Sequence, residues 1–149
     1  MSMLYLKKID EHNWLKAVRL KVRDDQQTFV ASNAISLAQL NFLPDFHAMG
    51  VYHDDEMVGF TLFGLDRDDG EFWIYRMMVD EKHQGKGYGK KAIRLVIDEI
   101  RKMKEDRHST ITLSYEPENT FAASLYTGMG FVEQEGVMIE GEQVARYTF

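Results

Sequence analysis

A glycine-rich segment between an apolar run and a helical pattern constrains the fold of this chain most. The segment reads Gln84-Gly85-Lys86-Gly87-Tyr88-Gly89. Residues 72–79, which precede it, are rich in aromatic and branched side chains and predict a β-strand. Apolar residues recur at helical spacing after it, namely Ala92, Ile93, Val96, Ile97, Ile100 and Met103. The pattern predicts a strand, a tight loop and a helix that begins directly after the loop.

This glycine loop predicts an anion-binding site. Glycines leave backbone N–H groups unshielded, and a helix N-terminus adds unpaired donors and the positive end of its dipole. Lys86, Lys90 and Lys91 stand at that end, where the dipole disfavours each cation by about 0.3–1 kcal/mol. A bound anion would make the interaction of these lysines with their surroundings favourable. The alternative is a plain turn with solvated lysines. The Walker sequence Gly-x-x-x-x-Gly-Lys-Ser/Thr does not fit, because Lys90 stands five residues after Gly85. The dinucleotide fingerprint Gly-x-Gly-x-x-Gly does not fit either, because Lys90 stands where its third glycine should be.

Composition narrows the class of protein. A chain of 149 residues is expected to form a single domain, and no apolar run approaches the roughly 18 residues that span a bilayer. The absence of cysteine excludes disulfides and thiolate metal sites, and the five histidines lack zinc spacing, so no metal is expected. A net charge of −6 argues against general nucleic-acid binding. The sequence therefore predicts a cytoplasmic protein without nucleic-acid or membrane partners.

Two helices are predicted in the N-terminal part. Asp10 or Asn13 can cap the first helix, and its expected buried positions are Trp14, Leu15, Val18 and Val22. Ser32 can cap the second helix, and its expected buried positions are Ile35, Leu37, Ala38 and Leu40. Asp24 and Asp25 interrupt the two patterns, and they form either one wall of a substrate site or a solvated turn.

The remaining pattern predicts a mostly antiparallel sheet. The other expected elements are strands at 4–9, 47–53, 56–64 and 111–115, a helix at 121–127, and a hairpin of 131–139 with 143–149. Strands 72–79 and 111–115 flank the central helix and should therefore be parallel. Ligands of such sheets gather beyond the carboxyl ends of the strands, which is where the glycine loop lies.

Two motifs resemble those of the GNAT N-acetyltransferases. Gln84-x-x-Gly87-x-Gly89 resembles the acetyl-CoA pyrophosphate loop of that family, and Asn119-x-x-Ala122-x-x-Leu125-Tyr126-x-x-x-Gly130-Phe131 resembles its second signature. The resemblance covers residues 47–149. The stretches Phe29-Val30-Ala31-Ser32-Asn33 and Ser36-Leu37-Ala38-Gln39 look like the bacterial spermine/spermidine acetyltransferases within that superfamily.

This resemblance implies an α/β (α+β) fold. It has a mixed central sheet of about six to seven strands, about four helices, and a V-shaped split between the fourth and fifth strands. The resemblance also implies acetyl-CoA as the cosubstrate, with its acetyl and pantetheine groups on the backbone of Met77, Met78 and Val79. Its pyrophosphate would lie on Gln84, Gly85, Lys86, Gly87, Tyr88, Gly89 and Lys90. Asn119 would bond the pantetheine arm, and Tyr126 would face the thioester sulfur.

The chemistry of amine acetylation fits these residue types. Backbone N–H groups can stabilise the charge that develops on the thioester oxygen, and a phenol of pKa about 10 can donate a proton to the departing thiolate. A polyamine amine is charged at neutral pH and must lose a proton, yet residues 72–79 include no carboxylate. Glu116 is either a base that acts through water or a surface acid.

The substrate is expected to be a small amine, most simply spermine or spermidine, held by Asp24, Asp25 and Glu116. A second copy of the chain, as a homodimer, is the other expected partner. The alternatives keep the fold: the acceptor is a protein N-terminus, an aminoglycoside or an amino acid, or the protein is a non-catalytic acyl-CoA sensor.

Overall fold

A seven-stranded mixed sheet organises the computed structural model, which describes residues 3–27 and 32–149. The strands are β1 (Leu4–Lys8), β2 (Phe46–His53), β3 (Glu56–Leu65), β4 (Phe72–Val79), β5 (Thr110–Tyr115), β6 (Val132–Ile139) and β7 (Glu142–Thr148). Their order in the sheet is β1-β2-β3-β4-β5-β7-β6. Only β4 and β5 are parallel. The described residues thus confirm the mixed sheet and the parallel pair.

Four α-helices flank the sheet in the described part of the chain. They are α1 (Trp14–Arg19), α2 (Asn33–Gln39), α3 (Tyr88–Met103) and α4 (Thr120–Gly128), with short 3-10 turns at Asp24–Gln26, Leu40–Phe42 and Glu81–His83. Asn119 caps α4, since its Oδ1 accepts a hydrogen bond from Ala122 N at 3.1 Å. No helix among the described residues is long and apolar enough to cross a bilayer.

The sheet splits between β4 and β5. These strands pair only at Phe72 with Ile111 and at Trp73 with Thr112. Towards Val79, β4 stays paired with β3 on its other edge. From Ile74 onward its second edge therefore lies open, and the predicted V-shaped split is confirmed.

A β-bulge in β4 changes which side chains enter that split. Leu62 pairs with Arg76, but the next residue, Phe63, pairs with Ile74, so Tyr75 is the extra residue. Tyr75 packs into the apolar cluster under α1 and α2. Arg76 also points there, because its Nη2 donates to Gln39 Oε1 of α2 at 3.3 Å. The bulge thus brings two successive large side chains to one face.

Apolar clusters cover both faces of the sheet. On the face of α3 and α4 the buried side chains include Phe63, Ile93, Val96, Leu113 and Phe131. On the face of α1 and α2 they include Ala17, Val22, Phe60, Leu62 and Met78. Each such side chain contributes roughly 1.5–3 kcal/mol when fully buried. Because β4 is covered on both faces, its side chains are apolar or aromatic at every position except Arg76.

The predicted buried faces of the two N-terminal helices are only partly right, since Val22 is buried and Leu37 and Leu40 pack against its cluster, but other predicted positions are exposed. Trp14 is 49% exposed and Ile35 is 58% exposed, and Leu15 and Ala38 are also exposed. Ala17 and Asn33 are buried instead, and Asn33 Nδ2 donates to Ala17 O at 2.8 Å. The helices therefore dock through small and polar residues at close backbone distance. Within Phe29-Val30-Ala31-Ser32-Asn33, residues 29–31 lie outside the described residues.

Candidate active site

The split between β4 and β5 opens a cavity of about 650 Å³. Its wall contains most of the residues that the sequence predicts for the site: Met77, Met78, Val79, Gln84, Gly85, Gly87, Tyr88, Gly89, Glu116, Asn119 and Tyr126. Lys86, Lys90, Asp24 and Asp25 are exposed and stand outside this wall. The split strands, the glycine loop and α4 thus meet at one place.

The open edge of β4 forms one side of the cavity. Between Ile74 and Val79 the edge that faces away from β3 has no strand partner among the described residues. Backbone groups on a free strand edge must find hydrogen bonds with water or with a ligand. An extended chain such as a pantetheine arm can meet that requirement.

The glycine loop fits a pyrophosphate. Gly87, the N-cap of the 16-residue α3, has φ 80°, and Gly85 has φ 81°. Both glycines are therefore required by a backbone conformation that other residues adopt at a cost. No side chain caps α3 and its first turn has no acidic residue, so the first N–H groups remain free for an anion.

Gly89 differs from the other two glycines. A Cβ built there would lie 3.6 Å from Leu125 Cδ2 and 3.8 Å from Val79 Cγ2, which are ordinary contact distances. The fold could thus accept alanine at this position. Since Val79 and Leu125 also line the cavity, the missing side chain leaves space next to the helix N-terminus. That is where a bound pyrophosphate would need it.

The side-chain amide of Gln84 forms its hydrogen bonds within the protein. Its Nε2 donates to Val79 O at 3.0 Å and to Gln26 Oε1 at 2.9 Å. An amide has only two N–H donors, so neither remains for a phosphate. Gln84 therefore fixes the loop against the end of β4 and the Asp24–Gln26 turn.

Tyr126 lies inside the cavity on α4 and is only 9% exposed. Burial raises the pKa of Tyr126 to about 12. Its ring stacks on Tyr115 with centroids 6.0 Å apart and meets Phe131 at 5.8 Å. The hydroxyl has no hydrogen-bond partner among the described residues, so a protonated phenol is available there at neutral pH.

Glu142 and Ser114 also line the cavity, and the sequence prediction missed both. Ser114 Oγ donates to Glu142 Oε1 at 2.7 Å. Ser114 could have been found from the alternation of β5, which points it away from the buried Leu113 and Tyr115. Glu142 enters the site only through the pairing of β5 with β7, which local patterns do not reveal.

Arg76 supplies a cation on the opposite side of the cavity. Its Nη1 donates to Tyr75 O at 2.8 Å, while its Nε is buried without a partner among the described residues. Burial lowers the pKa of Arg76, and the charge of Glu142 acts in the opposite direction. Arginine stays protonated in proteins, so the cavity has a cation on β4 and carboxylates on the side of β5 and β7.

Tyr115 is a second buried phenol in the cavity wall. It is 5% exposed, and its hydroxyl has no hydrogen-bond partner in the described part of the chain. Burial, with a smaller contribution from the nearby Glu133, raises the pKa of Tyr115. Tyr115 is thus a neutral group beneath Tyr126. Metal ligands are not grouped anywhere in the described ranges.

Comparison with known proteins agrees with this geometry. The acetyltransferase (GNAT) family model matches residues 10–131. A spermine/spermidine N(1)-acetyltransferase of Bacillus subtilis is 28% identical over 145 residues, which cover 93% of this chain and 94% of that protein.

Two solved structures have the same fold. The aminoglycoside acetyltransferase AAC(6')-Ib, in complex with coenzyme A and kanamycin, gives a TM-score of 0.79 at 17% identity, over 98% of this chain and 95% of that chain. The spermidine N-acetyltransferase of Vibrio cholerae, in complex with CoA and spermine, gives 0.72 at 18% identity, over 98% and 94%. On the family match, the chain belongs to the acetyltransferase (GNAT) family of acetyl-CoA-dependent enzymes.

Proposed function

We propose that the protein transfers the acetyl group of acetyl-CoA to a primary amine of a polyamine, such as spermine or spermidine, by direct attack in a ternary complex. The observation that carries this proposal is the charge distribution in the cavity. Glu116 and Glu142 line it without an ion pair among the described residues. The wall between them and the glycine loop includes apolar side chains, namely Leu113, Phe121, Ala122 and Leu125.

The donor half of the proposed site is made of backbone and one phenol. Acetyl-CoA supplies an activated acyl carbonyl and a thiolate leaving group. The free N–H groups at the start of α3 would hold its pyrophosphate. The open edge between Met77 and Val79 would hold the pantetheine arm and stabilise charge on the acyl oxygen. Tyr126, protonated at neutral pH, would donate a proton to the departing sulfur.

The acceptor half must receive a cation and remove a proton. A polyamine amine has a lysine-like pKa of about 10, so it arrives as an ammonium. Glu116 would attract this ammonium and take its proton through water, while Glu142 adds a second negative charge to the same side of the cavity. An exposed ion pair contributes only about 0.2–1 kcal/mol, so the selectivity must come from several charges acting together.

Asp24 and Asp25 remain a prediction from the sequence as substrate ligands. Asp25 forms an ion pair with Arg23 at 3.4 Å, and Asp24 accepts a hydrogen bond from Gln27. Both are exposed, so they could attract a polycation only from the rim of the site. A homodimer and a cytoplasmic location also stay predictions.

The relatives support the polyamine assignment. The Bacillus subtilis protein matches this chain nearly end to end, so the similarity extends beyond one shared motif. That protein is named as an acetyltransferase of spermine and spermidine.

The test is thiol release from acetyl-CoA with a panel of acceptors. The panel contains spermine, spermidine, butylamine, an N-terminal peptide, kanamycin and an amino acid, each at low and high salt. We expect the highest kcat/KM for a polyamine, and we expect salt to reduce its advantage over butylamine by screening. If the peptide or kanamycin is acetylated best, the polyamine assignment is wrong, while the acetyl-CoA chemistry stands.

A further inference from the structure

Two carboxylates, Glu116 and Glu142, stand in the cavity wall at the same end of the β5–β7 pair. In the pairing of β5 with β7, Ser114 lies opposite Val144 and Tyr115 lies opposite Gln143. Glu116 directly follows the end of β5, and Glu142 begins β7 at the same end of the pair. Neither carboxylate forms an ion pair in the described part of the chain. The charge of Glu142 acts on Arg76, the cation on β4.

One of these carboxylates is held in place. Ser114 and Glu116 lie on the same face of the strand by alternation, and the Ser114 hydroxyl donates to Glu142 Oε1 at 2.7 Å. A hydroxyl that bonds a carboxylate makes one of the stronger hydrogen bonds in proteins. This bond fixes one oxygen of Glu142 and leaves Oε2 free to accept from a ligand.

The positive charge on the other side of the cavity determines where a second ammonium can bind. Arg76 stands on β4, and its guanidinium is tied to Tyr75 O and Gln39 Oε1. A second ammonium on that side would meet a fixed cation. A substrate with more than one positive charge is therefore driven towards the β5–β7 side, where Glu116 and Glu142 stand.

From this arrangement we propose that Glu142, oriented by Ser114, binds the ammonium of the polyamine that is not acetylated. Glu142 is then a specificity-determining residue that separates polyamines from monoamines, and Ser114 is a positioning residue. The inference rests on the proposed polyamine function. A monoamine has no second cation, so its turnover does not depend on Glu142 in this way.

The experiment compares Glu142→Gln and Ser114→Ala with the wild type, using spermidine and butylamine as acceptors. Glu135→Gln is the matched control, since Glu135 is exposed on β6 and stands outside the cavity wall. For Glu142→Gln we expect a loss of about tenfold in kcat/KM for spermidine, expressed in KM, as for a hydrogen bond to a charged group. The loss for butylamine should stay within about twofold, the scatter that surface changes give.

Ser114→Ala should give a smaller loss for spermidine, and no further loss when it is added to Glu142→Gln. This non-additivity distinguishes positioning of Glu142 from a general structural effect. The KM for acetyl-CoA and the thermal midpoint of each variant should equal those of the wild type, which shows that the donor site and the fold are intact.

Two failures can be told apart. If the wild type does not prefer spermidine to butylamine, the proposed polyamine function fails and this inference fails with it. If the wild type prefers spermidine and Glu142→Gln retains that preference, only the role of Glu142 is overturned. An equal loss in Glu135→Gln would show that overall charge attracts the substrate, which also overturns the role of Glu142.

Discussion

The side chain of Gln84 donates to Gln26 Oε1 over 2.9 Å and so joins two parts of the chain that are 58 residues apart. The same Nε2 donates to Val79 O at 3.0 Å. One amide thus ties the glycine loop, the end of β4 and the Asp24–Gln26 turn together. Because the cavity wall includes Gln84, Val79 and Gln26, the bonds set the shape of the cavity at the glycine loop.

The first prediction concerns this connection. Gln84→Leu removes both bonds and should lower the free energy of unfolding by about 1–3 kcal/mol, since each bond contributes roughly 0.5–1.5 kcal/mol. It should also weaken acetyl-CoA binding, because the loop loses its fixed position. Chemical denaturation and calorimetric titration measure the two effects. Gln27→Leu, which changes an exposed neighbour of the turn, is the control. A stable Gln84→Leu protein with unchanged affinity would contradict the prediction.

The second prediction separates two glycines of the loop. Gly89→Ala should keep the thermal midpoint near that of the wild type, since the added Cβ meets only contacts of 3.6 and 3.8 Å. It should weaken acetyl-CoA binding by about tenfold, because the methyl group enters the space beside the α3 N-terminus, and one methyl placed in a tight site costs on the order of 1 kcal/mol or more.

Gly87→Ala should behave in the opposite way with respect to stability. The φ of 80° at Gly87 makes any side chain there cost about 1–2 kcal/mol, so this variant should unfold at a lower temperature. Titration of both folded proteins with acetyl-CoA decides the matter. Wild-type affinity in Gly89→Ala would mean that no ligand approaches the loop closely.

The third prediction concerns the phenol of Tyr126. Tyr126→Phe should lower kcat by about 100-fold or more and leave the affinity for acetyl-CoA near normal, because the hydroxyl acts as a proton donor in the transition state. Steady-state kinetics with a separate binding titration measure both quantities. Tyr115→Phe is the matched control, since it removes a neighbouring buried hydroxyl. A kcat within twofold of wild type for Tyr126→Phe would remove Tyr126 from the chemistry.

The fourth prediction is the stability of the protein at alkaline pH. Burial raises the pKa of Tyr126 from 10.0 to about 12, so the unfolded state loses this proton at a lower pH than the folded state. Its contribution is fully present below pH 10 and is lost as the pH rises towards 12, with a limiting slope of about 1.4 kcal/mol per pH unit. Tyr126→Phe should flatten the fall of the unfolding free energy in that window. An identical pH profile in the variant would refute the effect of burial.

The sequence was sufficient for the elements whose residues interact locally. The run at β4, the glycines at the start of α3 and the Asn119 cap each have a short-range physical cause, so these elements could be predicted from the residues. The split of the sheet was expected from the resemblance to the GNAT family. The docking of α1 and α2 could not be predicted, because Asn33 is buried by a hydrogen bond to the backbone of Ala17. Apolar spacing gives no sign of such a contact.

Most residues on the amine-acceptor side of the cavity could not be predicted either, because local spacing does not reveal contacts between distant parts of the chain. Glu142 enters the cavity through the register of β5 with β7, and Arg76 points towards α2 because of a bulge that depends on pairing with β3. Both features arise between distant parts of the chain. Glu116, which directly follows the end of β5, was the carboxylate of the cavity wall that the strand pattern could reveal.

The last prediction uses Arg76 to test the asymmetry of charge in the cavity. Arg76→Met removes a half-buried cation that faces Glu142, so the KM for spermidine should fall by about two- to fivefold at low salt, in the range of a partly exposed charge interaction. The difference should shrink at high salt through screening. Arg76→Lys, which keeps the charge, is the control and should retain the wild-type KM. Kinetics at two salt concentrations measure this. A higher KM in Arg76→Met than in Arg76→Lys would mean that Arg76 supports the substrate by holding Gln39 and the α2 wall, and that its charge does not repel the polyamine.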